Sequence, residues 1–75
     1  MVLSDLQQGE KARIQDFSNV SELVKRRLID MGINEGVEIH FKNKMPFGGP
    51  CMIEISGQYV GIRHQEAALI RVEKA

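Results

Sequence analysis

The sequence predicts a mainly β protein: a small barrel of about five strands, with one inserted α-helix and a short helical turn before the last strand. Three observations predict it. Apolar and polar residues alternate along 11–15, 37–42, 51–56 and 60–62, the period of half-buried strands. One segment only, 20–31, changes to helical spacing. Finally, 75 residues allow a single domain, 1–75. So small a chain buries the inward faces of five short strands best by curling them on themselves, which also removes most exposed edges.

The elements follow in order. Leu3 and Leu6 are followed by Gln7-Gln8-Gly9, where Gly9 permits a tight turn. Ala12 and Ile14 then point one way and Lys11, Arg13 and Gln15 the other, a first strand. Asn19 with Glu22 three residues later has the spacing of a reciprocal helix cap. Val20, Leu23, Val24, Leu28 and Met31 form one apolar stripe, and Gly32 is placed to end the helix, which predicts a helix over 20–31. Val37, Ile39 and Phe41 alternate with Glu38, His40 and Lys42 in a second strand. The run Met45-Pro46-Phe47-Gly48-Gly49-Pro50 fits neither helix nor ladder and reads as a loop. Cys51, Ile53 and Ile55 share a strand face, Ser56-Gly57 is a hairpin turn, and Val60 and Ile62 lie on the return strand. Gln65–Ala68 is a helical turn, and Ile70 and Val72 make the last strand. An SH3-like barrel with a helical insert accommodates this order.

Composition excludes several functions. Ten basic residues balance ten acidic ones, so no long-range field draws in nucleic acid or an anionic membrane. A single cysteine, Cys51, rules out an intramolecular disulfide framework. The first nine residues lack the basic start and apolar run of a signal peptide, and no apolar stretch approaches the roughly 20 residues of a membrane span. A cytoplasmic protein with no membrane insertion is expected. No Gly-x-Ser-x-Gly, His-Glu-x-x-His or phosphate-loop pattern occurs, which argues against an enzyme. Lys25-Arg26-Arg27, Lys42 and Lys44 could form a basic patch, but the aromatics that would stack bases are only Phe17, Phe41, Phe47 and Tyr59. The same shortage counts against a proline-peptide groove.

Four segments resemble one family: Leu6-x-x-Gly9 before Ala12-x-Ile14; Arg27-Leu28-x-x-Met31-Gly32-Ile33-x-x-Gly36; Phe47-Gly48-Gly49-Pro50; and Gly57-x-x-Val60-x-Ile62-Arg63-x-x-Glu66-Ala67-x-x-Ile70-x-Val72. Their order and spacing are similar to those of the FeoA family, small cytosolic proteins of bacterial ferrous-iron transport. Two positions depart from its pattern: Gly49 stands where an acidic residue often precedes the proline, and His64 where a second basic residue often follows Arg63. The resemblance implies an SH3-like barrel related to the C-terminal domain of iron-dependent repressors. It also implies a partner, the cytosolic GTPase region of the permease FeoB.

The implied pathway makes metal ligands the first candidates: Cys51, His40 and His64. Metal sites usually include a close sequence pair among three or four converging donors, and these three are well separated. Cys51 shares the face of Ile53 and Ile55, where a thiol behaves as a small hydrophobe, while His40 is on the polar face of its strand. No tight ferrous or other transition-metal site is expected on this reading. The candidate docking residues are Met45 and Phe47 on the loop and Lys25 and Arg26 on the helix. For Phe47 two readings stand open: an exposed anchor, or a plug closing one end of the barrel. The expected function is a non-enzymatic accessory or regulatory protein of ferrous-iron uptake that contacts FeoB. The alternative is a transition-metal sensor like the repressor domain.

Overall fold

Seventeen side chains are buried, and every one is apolar or the Cys51 thiol. The computed structural model, which describes Met1–Ala75, arranges them in a single cluster on one side of an antiparallel sheet. The strands are β1 (Lys11–Asp16), β2 (Glu38–Lys44), β3 (Cys51–Ile55), β4 (Gln58–Ile62) and β5 (Arg71–Lys74), ordered β4-β3-β2-β1-β5. Their alternation is the predicted one: Ala12 and Ile14, Ile39 and Phe41, and Cys51, Ile53 and Ile55 are buried, with polar neighbours facing out. Register shifts in β1–β5 at Ile14/Asp16 and in β2–β3 at Phe41/Asn43 mark bulges, which bend the sheet around its core.

The fold is SH3-like, but β4 and β5 do not pair, so hydrogen bonds do not close the barrel. Instead the N-terminus lies along the outer edge of β5. Val2 bridges Arg71, Leu3 N–H donates to the Ile70 carbonyl, and Val72 N–H donates to the Met1 carbonyl. A 3₁₀ turn at Leu3–Asp5 carries Leu3 and Leu6 into the core, both fully buried.

Helix α1 spans Glu22–Asp30, shorter than the 20–31 expected from spacing. Ser21, not Asn19, is its N-cap: the Ser21 hydroxyl accepts a hydrogen bond from Val24 N–H at 3.3 Å. At the other end Gly32 takes φ +93°, Gly32 N–H donates to Ile29 O, and Ile33 N–H donates to Leu28 O. That paired bonding is a Schellman motif, and it brings Leu28 and Ile33 together in the core, both fully buried. Leu28 is the deepest residue of the helix, with Val24 and Met31 packed partly against the same cluster.

Leu23 departs from the expected stripe and is 81% exposed. Successive helical residues point about 100° apart, so Leu23 and Val24 cannot both face a narrow core seam. A short helix α2 (His64–Ala67) follows β4 and buries Ala67 beside Ile70 and Val72. No helix is long and apolar enough to cross a membrane.

Candidate functional site

The loop between β2 and β3 is held at its base, where Met45 N–H donates to the Pro50 carbonyl at 3.0 Å. At its tip Gly49 N–H donates to Pro46 O, and the two residues between, Phe47 and Gly48, have φ of +60° and +73°. Positive φ at both central positions is the signature of a type I′ turn. Glycine suits it; phenylalanine does not, because its Cβ crowds the following carbonyl. Yet Phe47 stands there with its side chain fully exposed, and Met45 beside it is 41% exposed. The plug reading therefore fails, since Phe47 touches no core. Gly49, where the family often has an acidic residue, is required by space here: a Cβ would lie 2.7 Å from the Met45 Cβ.

Lys25 and Arg26 do not share a face. Lys25 lies toward Phe17, Ile29, Asn34 and Glu35, whereas Arg26 lines a shallow concavity with Leu23, Arg27 and Asp30. Arg27 is tied down: its Nη2 reaches both Glu66 carboxylate oxygens, at 2.6 and 2.5 Å, fastening α1 to α2. The basic strand residue Lys42 is also engaged, 3.1 Å from Glu54 and 6.0 Å from the centre of the Tyr59 ring. A second open cleft forms where Gly48, Gly49 and Pro50 meet Arg63, His64 and Gln65.

The three candidate metal ligands sit on different elements. His40 is on β2, paired across the sheet with Glu54; Cys51 begins β3; His64 begins α2. Cys51 is fully buried, and that burial pushes its thiol above the usual value of 9.0 despite the nearby Lys44 charge. A metal needs the thiolate, so this environment opposes ligation. No group of three or more His, Cys, Asp or Glu side chains converges anywhere in the chain. These residues do not fit a resident iron site.

The apolar side chain that sequence reading misplaced is Leu23, assigned to the core and found in water beside Arg26. The signal was present, because Leu23 lies outside the arc shared by Val20, Val24, Leu28 and Met31. Tyr59, another large side chain outside the sequence-based docking candidates, is 68% exposed on β4.

Fold and surface together define a small SH3-like β domain that presents apolar side chains on a loop tip, a helix face and a sheet edge. The sequence matches the FeoA domain family over residues 1–74. The chain belongs to the FeoA family. Among solved structures it is similar to the iron(II) transport protein A of Clostridium thermocellum, with a TM-score of 0.91 and 36% identity, covering 100% of this chain and 46% of that one. It is also similar to the FeoA protein of Chlorobium tepidum, with a TM-score of 0.90 and 30% identity, covering 99% of this chain and 70% of that one. This chain thus spans less than half the length of the Clostridium chain. Zinc-bound ScaR shares the fold at a TM-score of 0.84 and 21% identity, covering 100% of this chain and 37% of that one. No curated protein matches the sequence.

Proposed function

We propose that this chain is a non-enzymatic accessory protein of ferrous-iron uptake, acting in the cytoplasm by docking on the cytosolic region of a FeoB-type GTPase permease. The observation that carries the docking half of this reading is Phe47. A large aromatic held fully in water on a backbone that disfavours it contributes nothing visible to the fold. Strain at an exposed side chain motivates a role outside the domain, and Phe47 with Met45 makes a two-residue apolar anchor on a hydrogen-bonded turn. Family membership supports the iron-transport half. Docking would act by population: it shifts the permease among its states in proportion to its differential affinity for them.

The alternative, a transition-metal sensor, has the support of shared fold with metal-dependent repressors, at identities too low to carry more than fold. His40, Cys51 and His64 stand apart, so the docking reading is the better supported. The test is calorimetric titration of the permease's cytosolic region with the parent chain and with Phe47→Ala. The reading expects a saturable complex that Phe47→Ala weakens; no complex with the parent overturns it.

A further inference from the structure

Strand β4 has the one sheet edge left unprotected. The opposite edge, on β5, is covered by Met1–Leu3, whereas β4 pairs only with β3. Its register runs unbroken from Ile55↔Gln58 to Cys51↔Ile62, with no bulge. Its five residues, Gln58-Tyr59-Val60-Gly61-Ile62, include no lysine, proline or other charge. Those are the devices by which edges are normally kept from pairing with other chains. The two-residue turn at Ser56 and Gly57, both at positive φ, makes Ile55–Gln58 a hydrogen-bonded pair. Alternation then points the N–H and C=O groups of Tyr59 and Gly61 outward, away from β3.

Gly61 has no local reason to be glycine. Its φ is not in the left-handed region, and a Cβ would meet only the Met52 Sδ at 3.5 Å and the Pro50 Cβ at 4.0 Å, ordinary contacts. Glycine inside a strand weakens it and often marks the close approach of something else. Here it leaves a shallow notch, floored by Gly61 and flanked by Met52 and Pro50 on the outer face. Two residues away on that face stands Tyr59, 68% exposed.

We infer that β4 pairs antiparallel with β4 of a second copy of this chain, about a two-fold axis at Val60. In that register Tyr59 of each copy opposes Gly61 of the other. The outward backbone groups of both residues are satisfied reciprocally, giving two hydrogen-bonded pairs. Each tyrosine ring lies in the other copy's notch, over glycine and against the methionine sulfur, a favourable aromatic contact. A knob and its notch two residues apart on one strand are self-complementary, which is what a two-fold interface requires. The uncharged strand and the zero net charge of the chain impose no repulsion between copies. This inference is independent of the proposed docking through Phe47.

The area is small, so the dimer is weak and concentration-dependent. Sedimentation velocity of the intact chain, from about 10 µM to about 1 mM, tests it within the range where such small contacts form. The parent should pass from monomer toward dimer, and on dilution the amide resonances of Tyr59 and Gly61 should shift most. Gly61→Val is the decisive variant. It fills the notch yet restores a strand-forming residue, so it should melt higher than the parent when dilute while dimerising at least about tenfold more weakly. Gly61→Lys, which adds like charges across the axis, should be monomeric throughout. A parent that stays monomeric at the highest concentration overturns the inference. So does an unchanged dimer in Gly61→Val, or dilution shifts centred on Phe47 or Leu23.

Discussion

Replacing Phe47 by asparagine should make the domain more stable and the proposed complex weaker. At φ +60° an L-residue with a bulky side chain carries a penalty of about 1–2 kcal/mol, which asparagine largely escapes. Because Gly48 follows at φ +73°, Phe47→Asn also places the Asn-Gly dipeptide that a type I′ turn favours most. The phenyl ring is fully exposed, so its removal forfeits no packing to offset this. A net gain of about 0.5–1 kcal/mol corresponds, in a domain of this size, to a melting temperature about 2–8 °C higher. Binding should move the other way. Loss of a central aromatic anchor costs about 2 kcal/mol or more, roughly a thirtyfold weaker complex with the permease's cytosolic region. Thermal denaturation and calorimetric titration on the same variant read both quantities. If Phe47→Asn melts lower than the parent, the ring packs somewhere and the strained-turn argument is wrong. If it melts higher and binds as tightly, Phe47 is no anchor.

Leu28→Ala should cost about 2–5 kcal/mol and leave much of so small a domain unfolded, whereas Leu23→Ala should stay within about 0.5 kcal/mol of the parent; equal melting curves for the two would mean α1 is rotated. The Cys51 thiol, buried and raised above its usual 9.0, should react with an aromatic disulfide reagent in the native protein far more slowly than in denaturant, and prompt labelling would show that β3 opens readily. Glu10 is held below its ordinary value of 4.5, first by the hydrogen bond from Lys74 and then by Gln7 N–H, so its contribution to stability is present above that pH and is lost as pH falls through the lowered value. Glu10→Gln should therefore melt below the parent at pH 7 and converge with it in acid, and a gap that persists at pH 2 refutes the assignment. Anaerobic titration with ferrous ion should give no saturable one-to-one amide shifts at His40, Cys51 or His64; such shifts at any two would restore the sensor reading.

Strand positions were legible because each strand has one buried face and a period of two leaves little choice of which residues face in. The hairpin at Ser56-Gly57 was legible for a related reason: a Ser-Gly pair between two strand runs marks a turn, and Gly57 suits the positive φ that a two-residue turn requires. What failed was whatever depends on neighbours distant in sequence. Asn19 and Ser21 are both competent caps, and the sequence alone does not choose between them; in the structure Ser21 caps, next to the buried Val20. Barrel closure could not be read from β4 and β5 themselves, because the edge of β5 is taken by Met1–Leu3, seventy residues away in the chain. The exposure of Phe47 was undecidable for a similar reason. Its Pro-Phe-Gly-Gly surroundings permit a turn but do not say on which side of the sheet the ring lies. Leu23 is different, since helical geometry alone excluded it from the arc of Val24 and Leu28.

The distribution of apolar residues bears on function more directly than any single site. The core takes seventeen residues, one contiguous cluster with no buried side-chain nitrogen or oxygen left unpaired. Seven large apolar side chains are left exposed, among them Met1, Ile29 and Leu69. The four most relevant to docking are Leu23, beside Arg26 on α1, Met45 and Phe47 at the loop tip, and Tyr59 on the edge strand. None contributes core packing, and each lies beside hydrogen-bonded backbone: a capped helix closed by a Schellman motif, a hydrogen-bonded loop base, a regular hairpin. An exposed side chain on a mobile segment would lose conformational entropy on binding and return little affinity. Held on rigid elements, the same side chain binds at lower entropic cost. The Arg27–Glu66 pair extends this logic across the molecule. It joins α1, which carries Leu23 and Arg26, to α2. Its members belong to two of the segments that link this chain to its family. The proposed docking would draw on this preorganisation, which the hydrogen-bonded loop base, the helix cap and the Arg27–Glu66 pair supply.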